Sequence, residues 1–198
     1  CNEELGTKHG HIIAHLPPNS SLCITKITFS SRDFLSIIMS SFNFLQHNAT
    51  NVPDASMMRF GIVVTEWNAH ITEAMLKSAI DTLTEYGATE TSITVRYVPG
   101  AFELVYGCAQ LAEHGYVDAI IALGCVIKGD TPHFDYICQG TTAGLVQLNA
   151  TGKIPMINGV LTVNNEAQAE ERAGTNMDKG REFAITAIKM VDFMKSFE

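Results

Sequence analysis

Short apolar runs recur along residues 59–163, and each one ends in polar residues. Runs of this length are typical of strands buried in a parallel sheet, which predicts strands at 59–65, 92–98, 118–127 and 154–163. Apolar side chains at helical spacing follow each run, and Gly87 and Gly115 stand where helices should stop. The pattern predicts helices over 69–86, 101–114, 134–147, about 165–173 and about 179–196.

The predicted order alternates strand and helix and closes with two helices. Strands separated by helices of this length need crossover connections, which are right-handed and give a parallel sheet covered on both faces. We therefore expect an α/β fold with its ligand site outside the carboxyl ends of the strands. The chain has no G-x-G-x-x-G and no P-loop, which argues against dinucleotides and nucleoside triphosphates.

Residues 1–57 differ from the rest of the chain. They are rich in Ser and Asn, show no clear period, and contain the apolar run FLSIIMSSFNFL, which is too short to span a bilayer. We expect a variable or disordered N-terminal extension over 1–57 and one domain over 58–198. A transit peptide would carry more arginine than the single Arg32, although the scarcity of acidic residues leaves an organelle address open.

Composition narrows the class of protein. Of the 198 residues, 46% are hydrophobic and 17% are charged, which is typical of a soluble globular protein. The net charge of −8 would not attract nucleic acid or an anionic membrane, so we expect neither as a partner. The five cysteines form no C-x-x-C pair and are interpreted as reduced, which favours the cytoplasm. Cys125 could act as a nucleophile, but a buried thiol is the commoner explanation.

The segment IKGDTPHFDY, residues 127–136, places a histidine at the start of a helix. Thr131 is a good N-cap, and Pro132 suits the first helical position because its missing N–H would be unpaired there. His133 then lies at the positive end of the helix dipole, which disfavours a protonated ring. The segment therefore favours a base beside an anion site, with an ordinary surface histidine as the alternative.

Five blocks of sequence resemble the lumazine synthase family in order and nearly in spacing. They are TEWNAHIT at 65–72, VPGAFEL at 98–104, LGCVIKGDTPHFDYI at 123–137, GVLT at 159–162, and EERAGT with KG at 170–180. The resemblance covers about residues 59–196. It implies a flavodoxin-like three-layer α/β/α sandwich with a four-stranded parallel sheet.

The resemblance also implies an activity. Members of the family condense 5-amino-6-(D-ribitylamino)uracil with 3,4-dihydroxy-2-butanone 4-phosphate and release phosphate and water. The product is 6,7-dimethyl-8-ribityllumazine, made in the penultimate step of riboflavin biosynthesis. The family needs no metal and no organic cofactor, so we expect a transferase that needs neither.

Carried over residue by residue, the resemblance implies a site for the pyrimidine. Trp67 would stack on the ring, with a core tryptophan as the alternative. Asn68 would bond the ribityl chain or the ring edge, unless it serves as a helix N-cap. Glu103 would bind ribityl hydroxyls, although a lone glutamate in a first helical turn is also favourable with the dipole. The remaining ring contacts would come from Ala101, Phe102, Val126, Ile127 and Lys128.

The resemblance implies a phosphate site as well, wrapped by Gly129, Asp130 and Thr131, with His133 as the residue that transfers protons. Arg172 would clamp the phosphate bidentately, and the alternative is a solvated pair with Glu171 or Glu170. Lys179 matches the family's lysine after the glycine-threonine turn.

Two departures from the family pattern affect this site. Asn158 stands where the family usually has a phenylalanine that closes the neighbouring subunit's pocket, so we expect a polar wall there. Lys179 follows the glycine-threonine turn with one residue fewer than usual, which leaves its role open. Cys125 and Pro132 also differ from the usual residues, but neither change removes a group that the chemistry needs.

The family forms pentamers with sites between adjacent subunits, so we expect a homopentamer, and whether twelve pentamers form an icosahedral shell is open. One rival interpretation is a non-catalytic flavin-binding or storage homologue, supported by Asn158 and opposed by intact His133 and Arg172. A receiver or docking domain is the second rival. It would need more acidic residues at the strand ends than Glu66 and Asp130.

Overall fold

The computed structural model describes residues 51–174 and 177–197. The N-terminal extension predicted over 1–57 therefore lies outside the described residues as far as residue 50. Strands and helices alternate through the described part, in the order β1 Phe60–Thr65, α1 Ala69–Glu85, β2 Ile93–Val98, α2 Leu104–His114, β3 Ala119–Ile127, α3 His133–Ala150, β4 Met156–Val163, α4 Glu166–Arg172 and α5 Lys179–Lys195. A short 3-10 turn, Glu90–Ser92, precedes β2.

The four strands form one parallel sheet in the order β2-β1-β3-β4, which confirms the predicted fold class. The ladder between β1 and β3 ends at the pair Val64 and Leu123, whereas β3 and β4 stay paired as far as Ile127 and Val163. The end of β3 therefore projects past β1. This projection leaves room at the carboxyl edge of the sheet.

Helices α1, α4 and α5 cover one face of the sheet, and α2 and α3 cover the other. On one face Ile62, Val64 and Ile121 pack in a core with Met75 of α1 and Ile188 of α5. On the other face Val63 and Ile120 pack with Leu104 and Leu111 of α2 and Leu145 of α3. The outcome is the three-layer sandwich that the family resemblance implies.

Packing begins a little before the first strand. Ala55 is fully buried, and its N–H donates to the carbonyl of Tyr86 at 2.7 Å. Arg59 then pairs with Asp118 at 3.0 Å, which fixes the start of β1 beside the start of β3. No helix within residues 51–174 or 177–197 is long and apolar enough to cross a membrane.

Candidate active site

A cleft of about 350 Å³ opens at the carboxyl edge of the sheet. It lies between the corner that joins β1 to α1, the turn before α2, the projecting end of β3, and the start of α3. Its lining consists of Trp67, Asn68, Gly100, Ala101, Phe102, Glu103, Cys125, Val126, Ile127, His133 and Ile137. The structure thus brings most of the sequence-predicted pyrimidine site together with the predicted base.

A groove of about 420 Å³ lies elsewhere, beside the start of β4 and the last turns of α5. Its lining is mainly apolar, with Ile154, Pro155, Met190 and Phe193 among the residues, and it includes no charged side chain. Because acid–base chemistry and anion binding need polar groups, the cleft at the strand ends is the better candidate active site.

Trp67 presents its indole to the cleft. The side chain is 68% exposed, so the alternative of a core tryptophan is excluded. Its backbone is held on both sides, because its N–H donates to the Pro99 carbonyl at 3.2 Å and its carbonyl accepts from the Thr65 hydroxyl at 3.3 Å. A Cβ on Gly100 would lie 3.4 Å from Cε3 of this indole, so glycine lets the ring lie close over the turn before α2. An exposed indole held in this way suits stacking on a planar ring.

Asn68 stands at the N-cap position of α1, but its side chain does not cap the helix. Its Nδ2 instead donates to the Cys125 carbonyl at 2.9 Å, across the cleft floor. The structure therefore gives this amide a third role, which differs from both the ligand contact and the helix cap considered from the sequence.

The turn before α2 is tied to α3. The hydroxyl of buried Thr141 donates to the Ala101 carbonyl at 3.0 Å. Phe102 is 61% exposed, and its ring lies 3.4 Å from the position that a Cβ on Gly140 would take. Helix α2 begins at Leu104, three residues later than predicted, so Glu103 occupies its N-cap position without capping it. Its carboxylate is left to line the cleft.

His133 is the first residue of α3 and is exposed at the mouth of the cleft. The predicted Thr131 cap is wrong. Pro132 takes the N-cap position, and its carbonyl accepts from the N–H groups of Asp135 and Tyr136 at 3.0 and 3.3 Å. The amides of His133 and Phe134 precede these first bonds of the helix, so they point out of its end, as an anion site requires.

The predicted phosphate loop follows β3 directly. The Lys128 N–H still donates to the Val163 carbonyl at 2.9 Å, and the chain then leaves the sheet. Residues 128–131 are all exposed, and nothing lies within 4 Å of the position that a Cβ on Gly129 would take. The loop borders the cleft beside His133 but does not line it.

Arg172, Lys179 and Asn158 do not line the cleft of this chain. Arg172 donates to the Gln168 carbonyl at 3.0 Å and lies 3.6 Å from the Glu171 carboxylate, as the alternative interpretation expected. Lys179 Nζ pairs with Glu182 at 2.6 Å. Asn158 is exposed on the edge strand β4, where its Oδ1 accepts from the Val160 N–H at 3.2 Å.

Gly100, Cys125 and Ile137 line the cleft, although none was predicted as a site residue. Ile137 could have been found, because it follows His133 by four residues and so shares its helix face. Burial raises the pKa of the Cys125 thiol to about 11. The thiol is therefore protonated near neutral pH, which supports the buried-thiol explanation over a nucleophile.

The fold and the cleft together define an α/β enzyme whose site combines an aromatic platform, a carboxylate, and a histidine at a helix N-terminus. Comparison with known proteins agrees with this class. The profile of the 6,7-dimethyl-8-ribityllumazine synthase family matches residues 57–195, and the chain belongs to that family.

Similar proteins support the same assignment, and each is named 6,7-dimethyl-8-ribityllumazine synthase. The chain is 54% identical over 157 residues to the protein of Phocaeicola vulgatus, an alignment that covers 79% of this chain and 94% of that protein. It is 59% identical over 140 residues to the protein of Bacteroides fragilis, with 70% and 98% covered. The protein of Porphyromonas gingivalis is 54% identical over 149 residues, with 75% and 92% covered.

Proposed function

We propose that this chain is a 6,7-dimethyl-8-ribityllumazine synthase, which joins 5-amino-6-(D-ribitylamino)uracil to 3,4-dihydroxy-2-butanone 4-phosphate. The observation that carries the proposal is the convergence of exposed Trp67, Glu103 and His133 on one cleft at the strand ends. The names of the relatives agree with it. The relatives named above carry the name of the synthase and not that of a storage protein. Among the described residues, Glu103 is the single carboxylate that lines the cleft, whereas a receiver domain would need an acidic cluster.

Each part of the cleft has a role in the proposed reaction. The pyrimidine stacks on Trp67, backbone groups of the turn at 101–103 and of the β3 end at 126–128 read its edges, and Glu103 accepts hydrogen bonds from ribityl hydroxyls. The phosphate of the second substrate lies against residues 129–131 and the free amides at the start of α3. This arrangement brings the amine of one substrate next to the carbonyl of the other.

His133 serves the proton transfers. The ring amine attacks the ketone and water leaves to form an imine. Phosphate is then eliminated. The second ring closes last, and this closure releases a second molecule of water. Each step moves a proton at a nitrogen, carbon or oxygen beside the mouth of the cleft, where His133 stands. General acid–base catalysis of this kind contributes roughly a hundredfold to ten-thousandfold in rate.

We propose further that the active enzyme is a homopentamer whose sites lie between subunits. A phosphate dianion needs positive charge, yet the cleft lining of one chain contains no lysine or arginine within the described residues. Arg172 lies outside that cleft, as a residue donated to a neighbour would. Formation of a shell from pentamers is a separate question. We also propose a cytoplasmic location, because the thiols of Cys108, Cys125 and Cys138 are free and that compartment keeps thiols reduced.

The test is to mix the purified protein with both substrates and follow the fluorescence of the lumazine against the slow uncatalysed reaction. A rate that saturates with each substrate and scales with protein concentration is expected. A rate that stays at the background level, while riboflavin still binds, would instead identify a pocket without catalysis.

A further inference from the structure

Asn68 connects two walls of the cleft. It follows Trp67 at the corner between β1 and α1, and its backbone is left-handed, with φ 58 and ψ 44. Residues other than glycine seldom adopt this conformation, but asparagine tolerates it. The conformation turns the side chain toward β3, where Nδ2 meets the Cys125 carbonyl at 2.9 Å.

This hydrogen bond takes the place of a backbone hydrogen bond that β1 would make to β3 if the β1–β3 ladder continued to Cys125. The N–H groups of Ile120 and Lys128 donate to the carbonyls of Pro155 and Val163 on the β4 side. Backbone groups alternate in direction along a strand, so the odd-numbered residues of β3 direct their N–H and carbonyl groups toward β1. Cys125 is one of these residues, and it lies beyond the last pair of the β1–β3 ladder. Its carbonyl is in a buried residue and would have no strand partner there, and the Asn68 amide supplies the donor.

The other bonds of the corner run in different directions. The Trp67 N–H donates to Pro99 beside β2, and the Thr72 hydroxyl of α1 donates to the Thr65 carbonyl at 2.9 Å. These bonds fix the corner to β2 and α1, whereas the Asn68 bond fixes it to the end of β3. Val126 and Ile127, which follow Cys125, line the same cleft as Trp67 and form its β3 wall.

We propose that Asn68 is a positioning residue that sets the gap between the Trp67 indole and the β3 wall, and so the width of the slot for a planar heterocycle. A ring sandwiched in van der Waals contact needs walls roughly 7–8 Å apart, so a small shift of the corner loses contact on one side. The proposal deepens the proposed function and depends on it for the identity of the ring. The Asn68 amide donates to the Cys125 carbonyl within the protein. We infer that this bond holds the neighbouring residue, Trp67, in place.

The experiment uses Trp67 as its own probe, since it is the single tryptophan of the chain. Asn68→Gly keeps the left-handed backbone and removes the amide, and Asn68→Asp keeps the size but turns an acceptor toward the Cys125 carbonyl. Asn149→Ala is the matched control, because that amide bridges the N–H and carbonyl of Met156, remote from the cleft.

Both Asn68 variants are expected to lower the fluorescence anisotropy of Trp67 in the ligand-free protein, whereas its quenching by acrylamide should rise only slightly, because the indole is already 68% exposed. The KM for the pyrimidine should rise about tenfold while kcat falls no more than about threefold, because ring binding is lost and proton transfer is not. Asn149→Ala should lower stability and leave the Trp67 signals and KM as in the unaltered protein.

Three outcomes would overturn the proposal. The first is unchanged Trp67 signals and KM in Asn68→Gly, and the second is wild-type behaviour in Asn68→Asp. The third is a fall in kcat at constant KM, which would place Asn68 at the reacting atoms. Absence of synthase activity in the unaltered protein would instead refute the proposed function. The ligand-free Trp67 measurements would still test whether the hydrogen bond from Asn68 to Cys125 holds Trp67 in place.

Discussion

Lys179 and Glu182 form an ion pair in the first turn of α5, with Nζ 2.6 Å from Oε2. The two side chains are only 16% and 7% exposed, and the other carboxylate oxygen, Oε1, is buried without a hydrogen-bond partner. Lys179, which matches the family's lysine after the glycine-threonine turn, is therefore already neutralised within its own chain. A phosphate at this position would have to compete with Glu182 for it.

Removal of Lys179 should lower the free energy of unfolding, because its main contact is the buried carboxylate of Glu182. Lys179→Met would leave a buried carboxylate without its cation, which costs about 3 kcal/mol in the free energy of unfolding. The double variant Lys179→Met/Glu182→Met should return to within about 1 kcal/mol of the unaltered protein, because no buried charge is left alone. Denaturant unfolding measures both values.

The control for this prediction is the exposed pair Lys77 and Asp81, which also lies on a helix. Lys77→Met should cost less than about 1 kcal/mol, since water screens an exposed pair. An equal cost for Lys179→Met and Lys77→Met would show that burial of the Lys179 pair carries no special penalty.

His133→Ala should slow the reaction by roughly a hundredfold to ten-thousandfold without abolishing it, because the cleft still holds both substrates together. The matched variant is His114→Ala, which removes a histidine from the last turn of α2 and should leave kcat unchanged. The measurement is kcat for lumazine formation. Complete loss of activity in folded His133→Ala would contradict this division of the rate between proton transfer and proximity.

Sites between subunits predict complementation. Chains with His133→Ala and chains with Arg172→Ala should each be weakly active, but co-refolded mixtures should regain about a quarter of the unaltered activity, since that share of random neighbours combines an intact histidine with an intact arginine. Activity is measured after refolding, and separately refolded chains serve as the control. If mixing restores nothing, the site uses the Arg172 of its own chain.

The buried thiols predict a loss of stability in alkali. Burial raises the pKa of Cys108 to about 12 and that of Cys125 to about 11. An unfolded thiol ionises near pH 8.5, so above that pH the unfolded chain binds fewer protons than the folded one. The free energy of unfolding should therefore fall with rising pH, by about 1.4 kcal/mol per unit for each such thiol up to its folded pKa.

Cys108→Ala isolates this effect. Between pH 8 and pH 10 its loss of stability should be about 2 kcal/mol smaller than that of the unaltered protein, whatever its stability at pH 8. Cys138→Ala, which removes a partly exposed thiol, should change the pH dependence less. Denaturant unfolding at the two pH values decides the matter, and identical slopes for Cys108→Ala and the unaltered protein would contradict the prediction.

The sequence pattern was most informative where burial is continuous. Each predicted strand is present within about two residues of its expected ends, because a parallel strand covered on both faces is apolar along its length. Helix starts were less predictable. Thr131 looked like a cap, but the backbone of Pro132, with φ −62 and ψ −3, supplies the first acceptor itself and moves the helix start to His133.

Contacts that depend on strand register could not be predicted. Asn68 and Cys125 are 57 residues apart, and they meet only because β1 and β3 pair with a particular offset. Nor could the sequence show that Lys179 would face Glu182, although a spacing of three residues on a helix permits such a pair. The cleft lining was largely foreseen through the family resemblance, whereas its internal support required the fold.

Because the end of β3 projects past β1, the depth of the cleft depends on how many residues each strand contains. Each residue added to a strand advances it by about 3.3 Å. A single insertion after Thr65 would let β1 reach the Cys125 carbonyl, displace the Asn68 amide and fill the floor on which a substrate rests. A deletion would deepen the recess by a similar amount. In this fold, insertions and deletions at the end of β1 would change ligand size more abruptly than substitutions in the lining.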